Sequence, residues 1–149
     1  MIMASDMENE VSSGTVALWG GEYTGEMKDG KPHGRGRFVF ANGRVYDGLW
    51  QNGMRHGYGV FLYADGGKYE GEYQGNRRHG HGVYTSPCGN KYEGEFKDDK
   101  YDGHGVFYWV DGAKFEGQWV KGKRHGHGVF TWAGGQTHEE EWVNGRHKG

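Results

Sequence analysis

An all-β fold is predicted for this chain, an elongated antiparallel β-meander or solenoid of repeated hairpins. Three observations predict it. A 23-residue unit recurs without a slip in spacing, glycine returns at fixed places inside it, and aromatic residues alternate with polar ones around those glycines. Full copies begin at Tyr23, Tyr46, Tyr69, Tyr92 and Phe115. Numbering places from that residue, glycine fills place 3 (Gly25, Gly48, Gly71, Gly94, Gly117) and place 14 (Gly36, Gly59, Gly82, Gly105, Gly128). It also fills places 12 and 21, beginning at Gly34 and Gly43. Each such glycine costs a helix interior about 1 kcal/mol against alanine, so four or more per copy exclude a helical reading.

The organisation follows from the register. Residues 1–14, with Ser5, Asp6, Glu8, Glu10, Ser12 and Ser13, carry no periodic apolar pattern and read as a flexible N-terminal tail. The repeat array then runs over 15–149, opening on a half-repeat, 15–22, in which Val16-Ala17-Leu18-Trp19-Gly20 matches the end of a unit. Full repeats occupy 23–45, 46–68, 69–91, 92–114 and 115–137, and a partial unit over 138–149 follows. That last unit places His138 at the ring position and Glu140 at the glycine. Its run Glu139-Glu140-Glu141 reads as a charged capping edge that discourages further strand addition.

Within a unit the elements follow as strand, turn, strand, turn. In the third copy, alternation sends Tyr69, Gly71 and Tyr73 to one face of the first strand and Glu70 and Glu72 to the other. Asn52-Gly53, Asp65-Gly66 and Asp111-Gly112 mark turns whose backbone needs positive φ. The fourth copy has Asp98-Asp99 at the first turn and predicts a local difference there. The second strand returns with rings two apart, as in Phe38 and Phe40, Phe61 and Tyr63, Phe107 and Trp109, Phe130 and Trp132. At about 4.8 Å per strand, the hairpins of five units extend roughly 50 Å.

Composition agrees with this architecture. Three leucines and one isoleucine stand against 31 glycines and 23 aromatic residues, so buried surface must be made of rings stacked on glycine. Strict period and aromatic content separate the chain from disordered glycine-rich sequence. No apolar run nears the roughly 20 residues that span a bilayer, and no basic-then-apolar start resembles a secretory signal; a soluble cytoplasmic protein is expected. The single cysteine, Cys88, excludes an internal disulfide framework. A net charge of −2 gives no global attraction to nucleic acid, and base stacking would need rings the sheet itself requires, so no nucleic-acid partner is expected.

Tyr-Glu-Gly-Glu-Tyr at Tyr69–Tyr73, Tyr-Glu-Gly-Glu-Phe at Tyr92–Phe96 and Phe-Glu-Gly-Gln-Trp at Phe115–Trp119, each followed after a turn by His-Gly-x-Gly or its variant, resemble the MORN (membrane occupation and recognition nexus) repeat. What the resemblance implies is an elongated antiparallel sheet used for protein contacts, self-association and, in some members, attachment to phospholipid membranes. It also implies a location in the cytoplasm or at a cytoskeletal, ciliary or membrane-associated structure.

Histidines recur at His33, His56, His79, His81, His104, His125 and His127, with Asp102 replacing one of them. Two-apart pairs such as His79/His81, even with Cys88, supply fewer ligands than a tetrahedral zinc site needs, so no metal and no cofactor are expected, and the histidines are assigned to hairpin architecture. Paired acids such as Glu70/Glu72 and Glu93/Glu95 repeat along a solvated face instead of meeting in one divergent environment. No catalytic residue is therefore named. Large rings on the aromatic face, Tyr63, Trp109, Trp119 and Trp132, are the candidate partner-binding anchors for a helix or strand of another protein. A basic edge of Arg55, Arg77, Arg78, Lys100, Lys123 and Arg124 is the candidate contact for anionic phospholipid. Sheet edges also admit a homodimer. The leading reading is a non-catalytic scaffold for protein–protein interaction. Its alternatives are a peripheral phosphoinositide-binding module and a regulatory repeat segment of a larger lipid kinase or methyltransferase.

Overall fold

A computed structural model describes residues 12–147. The described chain is strand and turn throughout, in thirteen strands. They are β1 (Ser12–Leu18), β2 (Gly21–Lys28), β3 (Lys31–Val39), β4 (Val45–Gln51), β5 (Met54–Leu62), β6 (Lys68–Gln74) and β7 (Arg77–Thr85). There follow β8 (Lys91–Lys97), β9 (Lys100–Tyr108), β10 (Lys114–Val120), β11 (Lys123–Thr131), β12 (Thr137–Val143) and β13 (Arg146–His147). Spatial order equals sequence order, so the chain is one open antiparallel meander. Each repeat contributes one hairpin, β2–β3 through β10–β11. The expected tail lies outside the described residues up to Val11, and β1 already begins at Ser12, ahead of the expected array start at 15.

Every ring at place 1 is buried, and the glycines explain how a single layer achieves this. Tyr23, Tyr46, Tyr69 and Tyr92 are each 0 % exposed. Their rings lie flat on the place-14 glycine of the same hairpin, where a Cβ on Gly36, Gly59, Gly82 or Gly105 would overlap the phenol. Each hydroxyl donates to the carbonyl three residues on, at 2.5 Å to Glu26, 2.8 Å to Leu49, 2.7 Å to Glu72 and 2.8 Å to Glu95. Phe115 takes the same seat over Gly128 without a hydroxyl. Rings at place 5 meet those of place 1 edge to face, with Tyr46–Trp50 centroids 5.1 Å apart at 89° and Tyr92–Phe96 5.2 Å apart at 84°. Trp50 and Trp119 also donate their indole N–H to the carbonyls of Gly36 and Gly105, at 3.1 and 3.3 Å. Ring on glycine, capped by ring edge, replaces the missing aliphatic core.

The turns tie one unit to the next. All first turns hold two residues at positive φ, Asn52 (51°) and Gly53 (82°) for example, the geometry that matches strand twist. The turn expected to differ, Asp98-Asp99, keeps that backbone at φ 49° and 70°; asparagine and aspartate tolerate this region because their short polar side chains bond locally. What differs is the side chain. Asp99 Oδ1 accepts the backbone N–H of Arg78 at 2.8 Å, as Asn76 Oδ1 accepts that of Arg55 at 2.8 Å, one repeat earlier. Histidine at place 11 works in the same seam: His33 Nδ1 accepts the N–H of Asn52 at 3.4 Å and His125 Nδ1 that of Asn144 at 3.3 Å. Asp102 makes the matching bond to Lys121 at 3.1 Å. The exception in the sequence thus preserves the contact.

The acidic run does not form the last strand described. Glu139, Glu140 and Glu141 lie in β12, which pairs with β11 and, through Trp142–His147 and Val143–Arg146, with β13.

Candidate functional site

Alternation divides the sheet into an aromatic face and an outer face. On the aromatic face, place-16 and place-18 rings form a line beside the buried core. Phe38 and Phe40 lie 4.6 Å apart, Phe40 and Phe61 5.7 Å, Phe61 and Tyr63 4.7 Å, Tyr63 and Tyr84 5.9 Å. After Ser86, which offers no ring, the line resumes with Phe107 and Trp109 at 4.7 Å, Trp109 and Phe130 at 5.4 Å, and Phe130 and Trp132 at 5.0 Å.

Between this line and the first turns runs a series of recesses. One is bounded by Trp19, Phe40 and Arg55, the next by Tyr63, Arg78 and Tyr101, and a third by Trp109, Lys123 and Arg124. Place 10 supplies their floor, and its cations lie over rings. The Arg55 guanidinium sits 5.2 Å from the centroids of both Phe61 and Tyr73, Arg78 5.2 Å from Phe96, and Arg124 3.7 Å from Trp142. Tyr101 takes the same place in repeat four, stacked on Tyr92 at 3.7 Å and 7°. Burial raises the Tyr63 phenol above its usual value, the Arg78 charge opposing the rise, and pushes Tyr101 up to about 12.

Of the four predicted anchors the structure separates one. Trp119 is a core residue, 7 % exposed and wedged against Tyr92, Tyr101 and Phe115, so no partner reaches it without opening the sheet. Tyr63 and Trp109 are half-buried in the recess walls, and Trp132 is 46 % exposed. The reading of places along the strand missed Phe40 and Trp19, which extend the same surface. Trp19, 60 % exposed and stacked on Phe38 at 5.9 Å, sits in a turn whose φ of 51° no ring pattern foretells.

The predicted basic edge also divides. Arg77 is exposed and lies 3.8 Å from Asp98, while Lys100 and Lys123 are exposed at the rims of two recesses. Arg55, Arg78 and Arg124 instead turn onto the aromatic face; Arg78 Nη2 donates to the Asp99 carbonyl at 2.6 Å and Arg55 Nη2 to that of Asn76 at 2.8 Å. They belong to the trough and not to an edge ridge, because a guanidinium gains more over a desolvated ring than in water.

The outer face changes character along its length. Val45, Tyr58, Val60 and Leu62 line an outer-face recess together with Arg35, Arg37 and Asp47 over the first two repeats. Further on, His81, His104 and His127 meet Glu93, Glu116 and Glu141 at 3.9, 3.1 and 3.1 Å, all in solvent. The acids are likewise occupied: Glu72 Oε2 accepts the His81 backbone N–H at 2.9 Å and Glu26 Oε2 that of Arg35 at 2.5 Å, where the second strand bulges. Cys88 lies in a separate exposed loop beside Ser86 at 3.1 Å, away from the histidines.

One-layer hairpin repeats with a ring-lined trough define an all-β repeat protein. The MORN repeat pattern matches residues 23–43, 46–68, 69–91, 92–114 and 115–137, and the chain belongs to the MORN-repeat family. Comparison with curated proteins gives no match. Among solved structures it is similar to the SAS-4 (dCPAP) TCP domain of Drosophila melanogaster in complex with a proline rich motif of Ana2 (dSTIL). The identity is 10 %, the TM-score 0.41, and the alignment covers 87 % of this chain and 90 % of that one. A likeness at that score bears no weight on fold or function.

Proposed function

We propose that the chain is a non-catalytic scaffold that holds a segment of another protein, helical or extended, along the trough of its aromatic face. One observation carries the reading: successive repeats repeat the same recess, with a ring wall and a cationic or phenolic floor, so a linear partner meets equivalent contacts at each step. Interior strands are paired on both sides, so such a partner docks by side chains and not as an added strand. The floor favours acidic residues on a partner that presents apolar ones to Phe40, Tyr63, Trp109 and Trp132.

The test pairs stability with capture. Trp132→Ala and Trp109→Ala are expected to abolish retention of a cytoplasmic partner by the immobilised chain while the melting temperature of Trp132→Ala stays near that of the parent. Stability loss with unchanged retention would defeat the reading.

An anionic membrane is the weaker reading on this geometry. Three of the six cations named for it lie on rings, and Asp98 and Asp99 interrupt the rest. Pelleting with phosphoinositide vesicles that is lost in Arg77→Glu/Lys100→Glu/Lys123→Glu and at high salt would reverse that preference.

A further inference from the structure

The partial unit departs from the repeat at three places at once, and the fold brings those three together. Places 1, 3 and 10 hold a ring, a glycine and, in turn, Pro32, Arg55, Arg78, Tyr101 and Arg124 in the five full repeats. In the unit starting at 138 they hold His138, Glu140 and His147, while place 5 keeps its ring, Trp142. His138 and Glu140 share one face of β12 with Trp142, and pairing of Trp142 with His147 sets the second imidazole beside them. One ligand atom from each of His138, Glu140 and His147 lies within 4.8 Å of the others, the one such triad of histidine, cysteine or carboxylate among the described residues.

The interior of the array forbids this arrangement. A Cβ on Gly71 would meet the Cα of Gly82 on the facing strand at 2.5 Å and the Tyr69 hydroxyl at 2.6 Å. Around Glu140, β13 is described only as far as its pairs with Trp142 and Val143, and among the described residues none lies opposite Glu140 on that side. Its carboxylate is already aimed: Trp142 Nε1–H donates to Oε2 at 2.7 Å, which leaves Oε1 free to bind, the kind of support that orients metal ligands. The two imidazoles are aligned as well, with centroids 6.4 Å apart at 33°, His147 resting edgewise on Trp142 at 5.4 Å and 76°.

We propose that His138, Glu140 and His147 form a binding site for a divalent transition ion of the zinc class that fastens β13 to β12. Two imidazoles and one carboxylate suit such an ion and not the all-oxygen preference of calcium or magnesium. Tetrahedral ligands at about 2.0–2.1 Å from zinc lie about 3.4 Å from each other, so the exposed imidazoles of His138 and His147 close the triad by rotating their ligand atoms inward through about an ångström. Three protein ligands leave a coordination position for water. The role follows from the strand: among the described residues two pairs join β13 to β12, and a shared ion adds a cross-link beside them.

The test titrates the full chain with Zn2+ against a chromophoric chelator and follows amide exchange in β12 and β13. One Zn2+ per chain and slowed exchange confined to the last hairpin are expected. His138→Phe and His147→Arg return these places to interior-repeat residues, so the fold is kept. Each should weaken binding at least about 100-fold, and Glu140→Gln about 10- to 100-fold. His79→Ala/His81→Ala should change nothing. Binding that survives in His138→Phe/His147→Arg, or that disappears in His79→Ala/His81→Ala, overturns the assignment, as does the absence of any Zn2+ binding by the parent chain.

Discussion

The full repeats and the partial unit at 138 use the same places for opposite purposes. Inside the array, place 3 is glycine because the facing strand and the place-1 ring leave no room, and place 1 is a phenol locked to a carbonyl in every full repeat but the fifth, which has Phe115. At the last hairpin the same two places carry a carboxylate and an imidazole, both reachable from solvent. The difference teaches that the repeat constrains residue type where a facing strand and a ring close on the place, as Gly82 and Tyr69 close on Gly71. Where that restraint lifts, chemistry-bearing side chains enter.

Swapping residues across this divide is the strongest way to break it. Gly71→Glu puts in an interior repeat what Glu140 does at the end, forcing a charge between Gly82 and Tyr69. A loss of more than about 4 kcal/mol, enough to abolish a cooperative melt, is expected, since overpacking and an unpaired buried charge act together. A folded Gly71→Glu variant would mean that the glycine ladder is not required.

Next in size is the ring at place 5. Trp119→Ala removes a side chain 7 % exposed that contacts four rings and a carbonyl, and denaturant titration should read a loss of about 3–5 kcal/mol. Trp142→Ala, at the same place of the last unit and half-buried, should cost less than half of that.

Much of the interior was legible before any coordinates. Spacing placed the hairpins, and the glycines at places 3 and 14 required rings over them, because both signals repeat five times and survive any one exception. Side-chain direction was less legible. Arg55, Arg78 and Arg124 stand next to turn residues and read as edge charges, yet strand twist and the bulge between places 10 and 14 carry them over the ring face. Trp119 read as an anchor because its place in the pattern says which face it takes, not how many neighbours cover it. The triad at His138, Glu140 and His147 was visible only as three breaks in the pattern; their meeting depends on the Trp142–His147 register.

Alkaline pH sharpens the comparison through the phenols. Desolvation is the main cause that raises the place-1 tyrosines, Tyr23 to about 12, with Glu26 adding to the rise, and it pushes Tyr101 to about 12 as well. An unfolded phenol ionises near about 10, so the folded state keeps its protons longer. The contribution is complete below about pH 10 and is lost as pH climbs toward 12, at up to about 1.4 kcal/mol per pH unit for each phenol. Equilibrium unfolding followed across that window should steepen, and Tyr101→Phe should flatten the curve. A stability independent of pH in that range would rule out burial as the cause.

A smaller effect tests the hydroxyl alone. Tyr69→Phe deletes the 2.7 Å bond to the Glu72 carbonyl and should cost about 1 kcal/mol, whereas Phe115→Tyr supplies that bond in the repeat that lacks it and should return up to the same amount.

The smallest expected change separates two histidines of one chain. His125 Nδ1 accepts the N–H of Asn144, so it clasps the fifth repeat to the turn between β12 and β13. His104 meets Glu116 at 3.1 Å with both side chains about half in water, at 55 % and 49 %. Removing the clasp leaves a turn N–H without its acceptor, so His125→Ala should cost about 1 kcal/mol and hasten amide exchange at Asn144. Removing the exposed pair changes little, because solvent screens the attraction and ordering two side chains opposes it. His104→Ala should therefore stay within about 0.5 kcal/mol of the parent. The pair of melts reads which face of the sheet each histidine serves, and equal losses would refute the division between seam and surface.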